Sequence, residues 1–197
     1  MMKSVAIGLR MHSGWGAVVA VSNDGVLEVV DRRHIVIAEA SIPGSKQPYH
    51  YAESLELKKA EEYLARCTAI SEQLAASAIR EILSQLEKNE YTVEGSGVLM
   101  GSGRTLPSLE KILASHALIH AAEGAFFRMV ARKACENAGV TVTPLCELDL
   151  EERAKKKFGK KVNQVRERIS SLGKRLGPPW TQDEKLAALA ATLILAS

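Results

Sequence analysis

Three residues, His116, His120 and Glu123, carry the clearest metal-ligand spacing in the chain: i, i+4, i+7. On one helix, at ~3.6 residues per turn, they project within about 60° of one another. Two imidazoles one turn apart plus a carboxylate can hold a zinc ion with one position open. The competing reading is a polar stripe whose side chains bond locally. No helical HExxH accompanies them, so that motif's built-in general base is missing. Gly101-Ser102-Gly103-Arg104 is a second candidate. Backbone N–H groups of Ser102 and Gly103, with the charge of Arg104, could bind an anion. It is neither a P-loop nor GxGxxG, and a plain glycine turn explains it as well. Arg10, His12 and Trp15 form a third group. His12 could titrate near neutrality, while Trp15 is expected to pack in the core rather than stack on a base. Pro48-Tyr49-His50-Tyr51 is an aromatic helix entry, expected to anchor the preceding loop. Asp183, at a helix start beside Glu184, suits the helix dipole. Asp183, Glu123 and His120 are the catalytic candidates, with no reaction assigned to them.

Charge is unevenly spread. Residues 1–150 hold 15 Lys+Arg against 18 Asp+Glu, whereas residues 151–197 hold 11 against 5. Between Arg153 and Arg175 the cations are Arg153, Lys155, Lys156, Lys157, Lys160, Lys161, Arg166, Arg168, Lys174 and Arg175, opposed within that span by Glu167 alone. A solvated helix face usually mixes both signs to gain i,i+4 pairs. A polyanion is the natural counterpart of this one, through counterion release at phosphates. Lys155, Lys156, Lys157, Lys160 and Lys161 are therefore the candidate nucleic-acid contacts. Phe158 is the sole ring among them, so base stacking and sequence readout are not expected. A solubilising face is the alternative.

The chain has 197 residues, 46% hydrophobic and 25% charged. That is enough for one domain with a substantial core, expected to span residues 1–197. No segment reaches the roughly 20 apolar residues that cross a bilayer. Cys67, Cys135 and Cys146 form no CxxC pair and read as reduced thiols. A cytoplasmic location with no membrane partner is expected, and a homodimer is compatible with the sequence. No cofactor is assigned beyond the divalent metal that the His face could hold.

Periodicity supplies the elements that must position these residues. Val5–Leu9, Gly14–Val21 and Val26–Ala38 read as strands, with a hairpin turn at Asn23-Asp24-Gly25. Apolar residues at steps of three and four then define a long helix from about Ala52 to Lys88. Tyr91–Met100 is a fourth strand. A helical stretch follows from Pro107, with or without a break, to Asn137, stopped at Ala138-Gly139. Val140–Leu145 is a fifth strand. Leu148–Lys157, Val162–Leu172 and Asp183–Leu195 are helical, the last capped by Thr181. The order βββ-α-β-α-β-α predicts a mixed five-stranded α/β sheet with helices on both faces.

From residue 92 onward the chain resembles RuvC-like proteins of the RNase H-like superfamily, the Holliday-junction resolvases. Ser115-His116-Ala117-Leu118-Ile119-His120-Ala121-Ala122-Glu123-Gly124 matches a small-residue helix ending in Gly. Ala125–Ala138 continues it, and Val140–Val142 resembles the next strand. Lys155-Lys156-Lys157-Phe158-Gly159 resembles the family's basic segment. Pro178–Ala190 resembles its closing helix, where an Asp pair precedes Ala-Leu-Ala.

The resemblance implies an RNase H-like fold and a site for two divalent metals. That family takes its carboxylates from the first strand, the end of the fourth strand and the last helix. Here those positions hold Leu9, Met100-Gly101-Ser102, Asp183 and, for the second Asp, about Leu186. One acid is too few to hold two ions ~4 Å apart. The expectation is a nucleic-acid-binding protein, for DNA or RNA without sequence preference, that lacks two-metal nuclease activity: a pseudo-nuclease. One alternative is a hydrolase or nuclease with a site rebuilt from His116, His120, Glu123 and Asp183. A second is a non-catalytic interaction subunit that docks a partner on its apolar last helix.

Overall fold

The computed structural model describes residues 2–101, 103 and 105–196. Strands β1 (Lys3–His12), β2 (Trp15–Asn23) and β3 (Leu27–Val36) form the expected antiparallel meander. Strand β4 (Tyr91–Met100) pairs parallel with β1, and β5 (Val142–Cys146) pairs parallel with β4. The sheet order is β3-β2-β1-β4-β5. Because β1, β4 and β5 run the same way, their carboxyl ends share one sheet edge. Ligands of open α/β sheets favour that edge.

Both faces of the sheet are buried. Strand β1 shows this by alternation. Val5, Ile7, Leu9 and Met11 enter one core with Ile79, Ile82, Phe127 and Val130. Those partners come from helices α2 (Leu57–Lys88) and α4 (His116–Asn137). On the other face, Ala6, Val19 and Leu99 pack with Ala187, Ala188 and Ala191, as well as Leu150 and Ile169. Those come from α5 (Leu150–Phe158), α6 (Val162–Leu176) and α7 (Gln182–Leu195).

Helix α7 lies unusually close to the sheet. A Cβ on Gly8 would sit 1.7 Å from the Ala187 carbonyl oxygen, and one on Gly97 would sit 3.0 Å from that of Ala190. Two glycines thus open a slot, and the Ala-rich face of α7 fills it. The apolar run of this helix is buried from Ala187 to Leu193. It is therefore not free to dock on a partner, which removes the surface that the interaction-subunit reading relied on.

Two expectations shift in detail. The long helix does not begin at Ala52: a separate short helix, α1 (Pro48–Ala52), precedes α2. The helical stretch from Pro107, expected with or without a break, has one: it divides into α3 (Leu109–Leu113) and α4, because Ser115 is extended at φ −142°. Trp15 is half-buried rather than in the core. Cys67 and Cys135 are buried free thiols and Cys146 is a half-buried one. No helix among the described residues is long and apolar enough to cross a membrane.

Candidate functional site

Two polar clusters lie at or near the carboxyl edge. The first is built on β1. Residues Gly8, Arg10 and His12 point to the α7 side, opposite Leu9, which is fully buried in the α2–α4 core. The start of α7 lies over this face and brings Asp183 against Arg10. A capping box fixes that start: Thr181 accepts from the Asp183 N–H at 3.2 Å, and Glu184 accepts from the Thr181 N–H at 2.7 Å. Burial pushes the Glu184 carboxyl up, but its bonds from Thr181 outweigh this and hold it below the ordinary value. Arg32 on β3 steadies the approach to the helix by donating to the carbonyls of Gly177 and Pro179.

Arg10 is the hub of this cluster. It donates to Glu147 Oε1 at 2.7 Å and Oε2 at 3.3 Å, and it is ion-paired with Asp183. His12 Nε2 lies 2.9 Å from the same Asp183 oxygen and 3.2 Å from Arg10 Nη1. Burial, then the Arg10 charge, holds His12 below its ordinary value. The Glu147 charge pulls the other way without reversing this. From His12 a stack of rings crosses the meander. His12 and Trp15 are 4.5 Å apart, and Trp15 and His34 are 4.4 Å apart. A second guanidinium, that of Arg128 on α4, reaches within 3.0 Å of where a Gly101 Cβ would stand.

The second cluster joins α1 to α4. His116 and His120 meet as their spacing predicts, Nε2 to Nε2 at 3.0 Å. Glu123 does not stand beside them as a third ligand. It is buried, and its Oε2 accepts from the Tyr49 N–H at 3.1 Å, the His50 N–H at 3.3 Å and His50 Nδ1 at 2.9 Å. His50 takes the third place: one ring nitrogen from each of His50, His116 and His120 lies within 4.8 Å of the others. Burial pushes the Glu123 carboxyl up, against the pull of its His50 bonds. Asp183 belongs to the first cluster, and no described hydrogen bond or ion pair joins the two. The rebuilt site of His116, His120, Glu123 and Asp183 is thus two sites.

The remaining candidates fall elsewhere. Ser102 and Arg104 of the anion-binding candidate lie outside the described residues; Gly103 is exposed at φ +68°. Lys155, Lys156 and Lys157 on α5 and Lys160 and Lys161 just after it are all exposed. Lys161 and Phe158 line a hollow with Asn23 and Leu27, at the sheet edge opposite Arg10. Sequence reasoning missed Glu147, His34 and Arg128, and read His50 only as part of a loop anchor.

A three-stranded meander extended by two parallel strands, with helices on both faces, is the RNase H-like fold, here in its RuvC-like form. The chain is similar to T. thermophilus RuvC in complex with Holliday junction substrate, at TM-score 0.53 and 12% identity, covering 96% of this chain and 91% of that one. It is likewise similar to a Thermus thermophilus RuvC structure, at TM-score 0.50 and 11% identity, with 96% and 92% covered. By sequence, no protein-family model and no curated protein matches the chain.

Proposed function

We propose that this protein binds nucleic acid through its lysine arm, with little sequence preference, and does not cleave it by a two-metal mechanism. The observation that carries the reading is the state of the arm. Its five lysines are exposed, and among the described residues none has an ion-pair or hydrogen-bond partner. Arg166 and Arg175, in contrast, pair with Glu151 and Glu28. Unpaired cations clustered on one short stretch fit a polyphosphate. The similar RuvC structure that holds a Holliday junction makes branched DNA the first ligand to test.

The donor set at the carboxyl edge does not fit two divalent ions, which need several free carboxylate oxygens. Asp183 and Glu147 are both paired with Arg10, and Leu9 is in the core. A guanidinium supplies there the positive charge that metals would supply.

The test is binding of a four-way junction and a matched duplex across a salt series. Wild type should bind both, weakening steeply with salt. Replacing Lys155, Lys156, Lys157, Lys160 and Lys161 by Ala should flatten log affinity against log salt by up to about 0.9 per lost phosphate contact. An unchanged slope, or no binding at low salt, leaves a solubilising face. Mg²⁺- or Mn²⁺-dependent cutting that Asp183→Ala abolishes would overturn the second half of the proposal.

A further inference from the structure

The geometry points to a three-imidazole site for a zinc-class divalent metal, formed by His50, His116 and His120, with Glu123 as the positioning residue behind His50. The ligand atoms lie within 4.8 Å of one another, and the His116–His120 pair is already at 3.0 Å. Tetrahedral zinc, with Zn–N of ~2.0–2.1 Å, sets its nitrogens roughly 3.3 Å apart. Small ring rotations close the difference. The rings are arranged for this, with His50 edge-on to His116 and His120 at centroid distances of 5.7 and 4.7 Å.

Glu123 settles which nitrogen of His50 is offered. Its Oε2 already accepts two backbone N–H bonds, so this oxygen acts as an acceptor. His50 Nδ1, at 2.9 Å, must therefore be the protonated nitrogen. That leaves the Nε2 lone pair pointing away from the carboxylate. A histidine held through its other nitrogen by a carboxylate is the usual support for a metal-binding imidazole. Glu123 Oε1 is buried with no partner among the described residues. A buried carboxylate with one empty oxygen is costly in an apolar setting, and a cation bound to the adjacent ring would offset that cost.

The ligand chemistry selects the metal. Three neutral imidazoles suit zinc, nickel, copper or cobalt, whereas Mg²⁺ and Ca²⁺ need oxygen donors. His116 and His120 are exposed, so a fourth position opens to solvent and takes water. A bound ion would tie the short helix α1 to the first two turns of α4. This inference does not depend on nucleic-acid binding, and its test uses none.

Protein stripped with chelator is titrated with Zn²⁺, Co²⁺ and Mg²⁺ separately, with metal content, melting temperature and the Co²⁺ visible spectrum as readouts. The expected result is one Zn²⁺ per chain, a Co²⁺ spectrum of a four-coordinate site of three nitrogens and one oxygen, a rise in melting temperature with Zn²⁺ and no response to Mg²⁺. The double variant His116→Ala/His120→Ala removes exposed rings and should fold as wild type while losing zinc. His50→Ala should lose it too. Glu123→Gln keeps an acceptor for Nδ1 but not the charge, and should weaken zinc binding by about tenfold or more. Wild type that takes up no Zn²⁺, or a folded His50→Ala protein that binds it as tightly as wild type, overturns the site.

Discussion

Arg10 and His12 hold a pair of acids that lie 137 and 171 positions away in the chain. Local spacing cannot show such a meeting, and for that reason Glu147 was invisible in the sequence. His50 and Glu123, 73 positions apart, are the same case. His116 and His120 were legible because one helical turn brings them together whatever the fold. The His12 environment has a pH consequence. Its folded-state value lies below the ordinary 6.5. Between 6.5 and that lower value, the unfolded chain takes up a proton that the folded protein refuses. Stability therefore falls as pH drops through this window, and is fully present above it. Denaturant unfolding at pH 7.5 and pH 5.5 should show a smaller loss in His12→Asn than in wild type. Equal losses would mean that His12 titrates normally in the folded protein.

The elements were more legible than their contacts. The strands were legible as apolar runs bounded by turn signals, as a sheet covered on both faces requires, and the main helices from the period of 3.6 that buries one face. The break at Glu53–Glu56 carries no Gly or Pro. Periodicity alone therefore runs α1 into α2, and the turn that lets His50 face α4 goes unseen. Likewise Gly8 looks like an ordinary strand residue until α7 is placed against it. A methyl there meets backbone rather than a flexible side chain, so α7 itself would have to move. Gly8→Ala should destabilise at or above the ~3 kcal/mol upper end usual for overpacking. Gly25→Ala has open space around it but a positive φ of 77°, so it should cost about 1 kcal/mol from backbone conformation alone. Thermal unfolding of the two variants checks the order. Gly8→Ala protein as stable as Gly25→Ala would mean that α7 does not sit as close as described.

At the scale of the molecule, the charge division read from the sequence becomes a separation in space. The Arg10 cluster closes the carboxyl edge of the sheet, and the lysine arm runs along α5 to the opposite edge, where Lys161 meets Asn23 and Leu27. The sequence showed that the cations were grouped, but not that they lie away from Asp183, because direction along a helix is fixed only once α5 is docked. Stability and polyanion binding should therefore be separable. Arg10→Gln leaves Asp183 and Glu147 without the cation they share. These side chains are between one-fifth and one-third exposed, so the loss should be about 1–2 kcal/mol, between the values for surface and buried pairs. Its junction-binding salt slope should match wild type, since Arg10 is turned toward carboxylates and releases no counterion. The five-lysine variant should do the reverse. Each exposed substitution should change stability within about 0.5 kcal/mol, while the slope flattens. Unfolding curves and binding isotherms on the two variants check both halves. A slope that flattens in Arg10→Gln would place nucleic acid at the carboxyl edge and move the binding surface to the face that carries His12, Trp15 and His34.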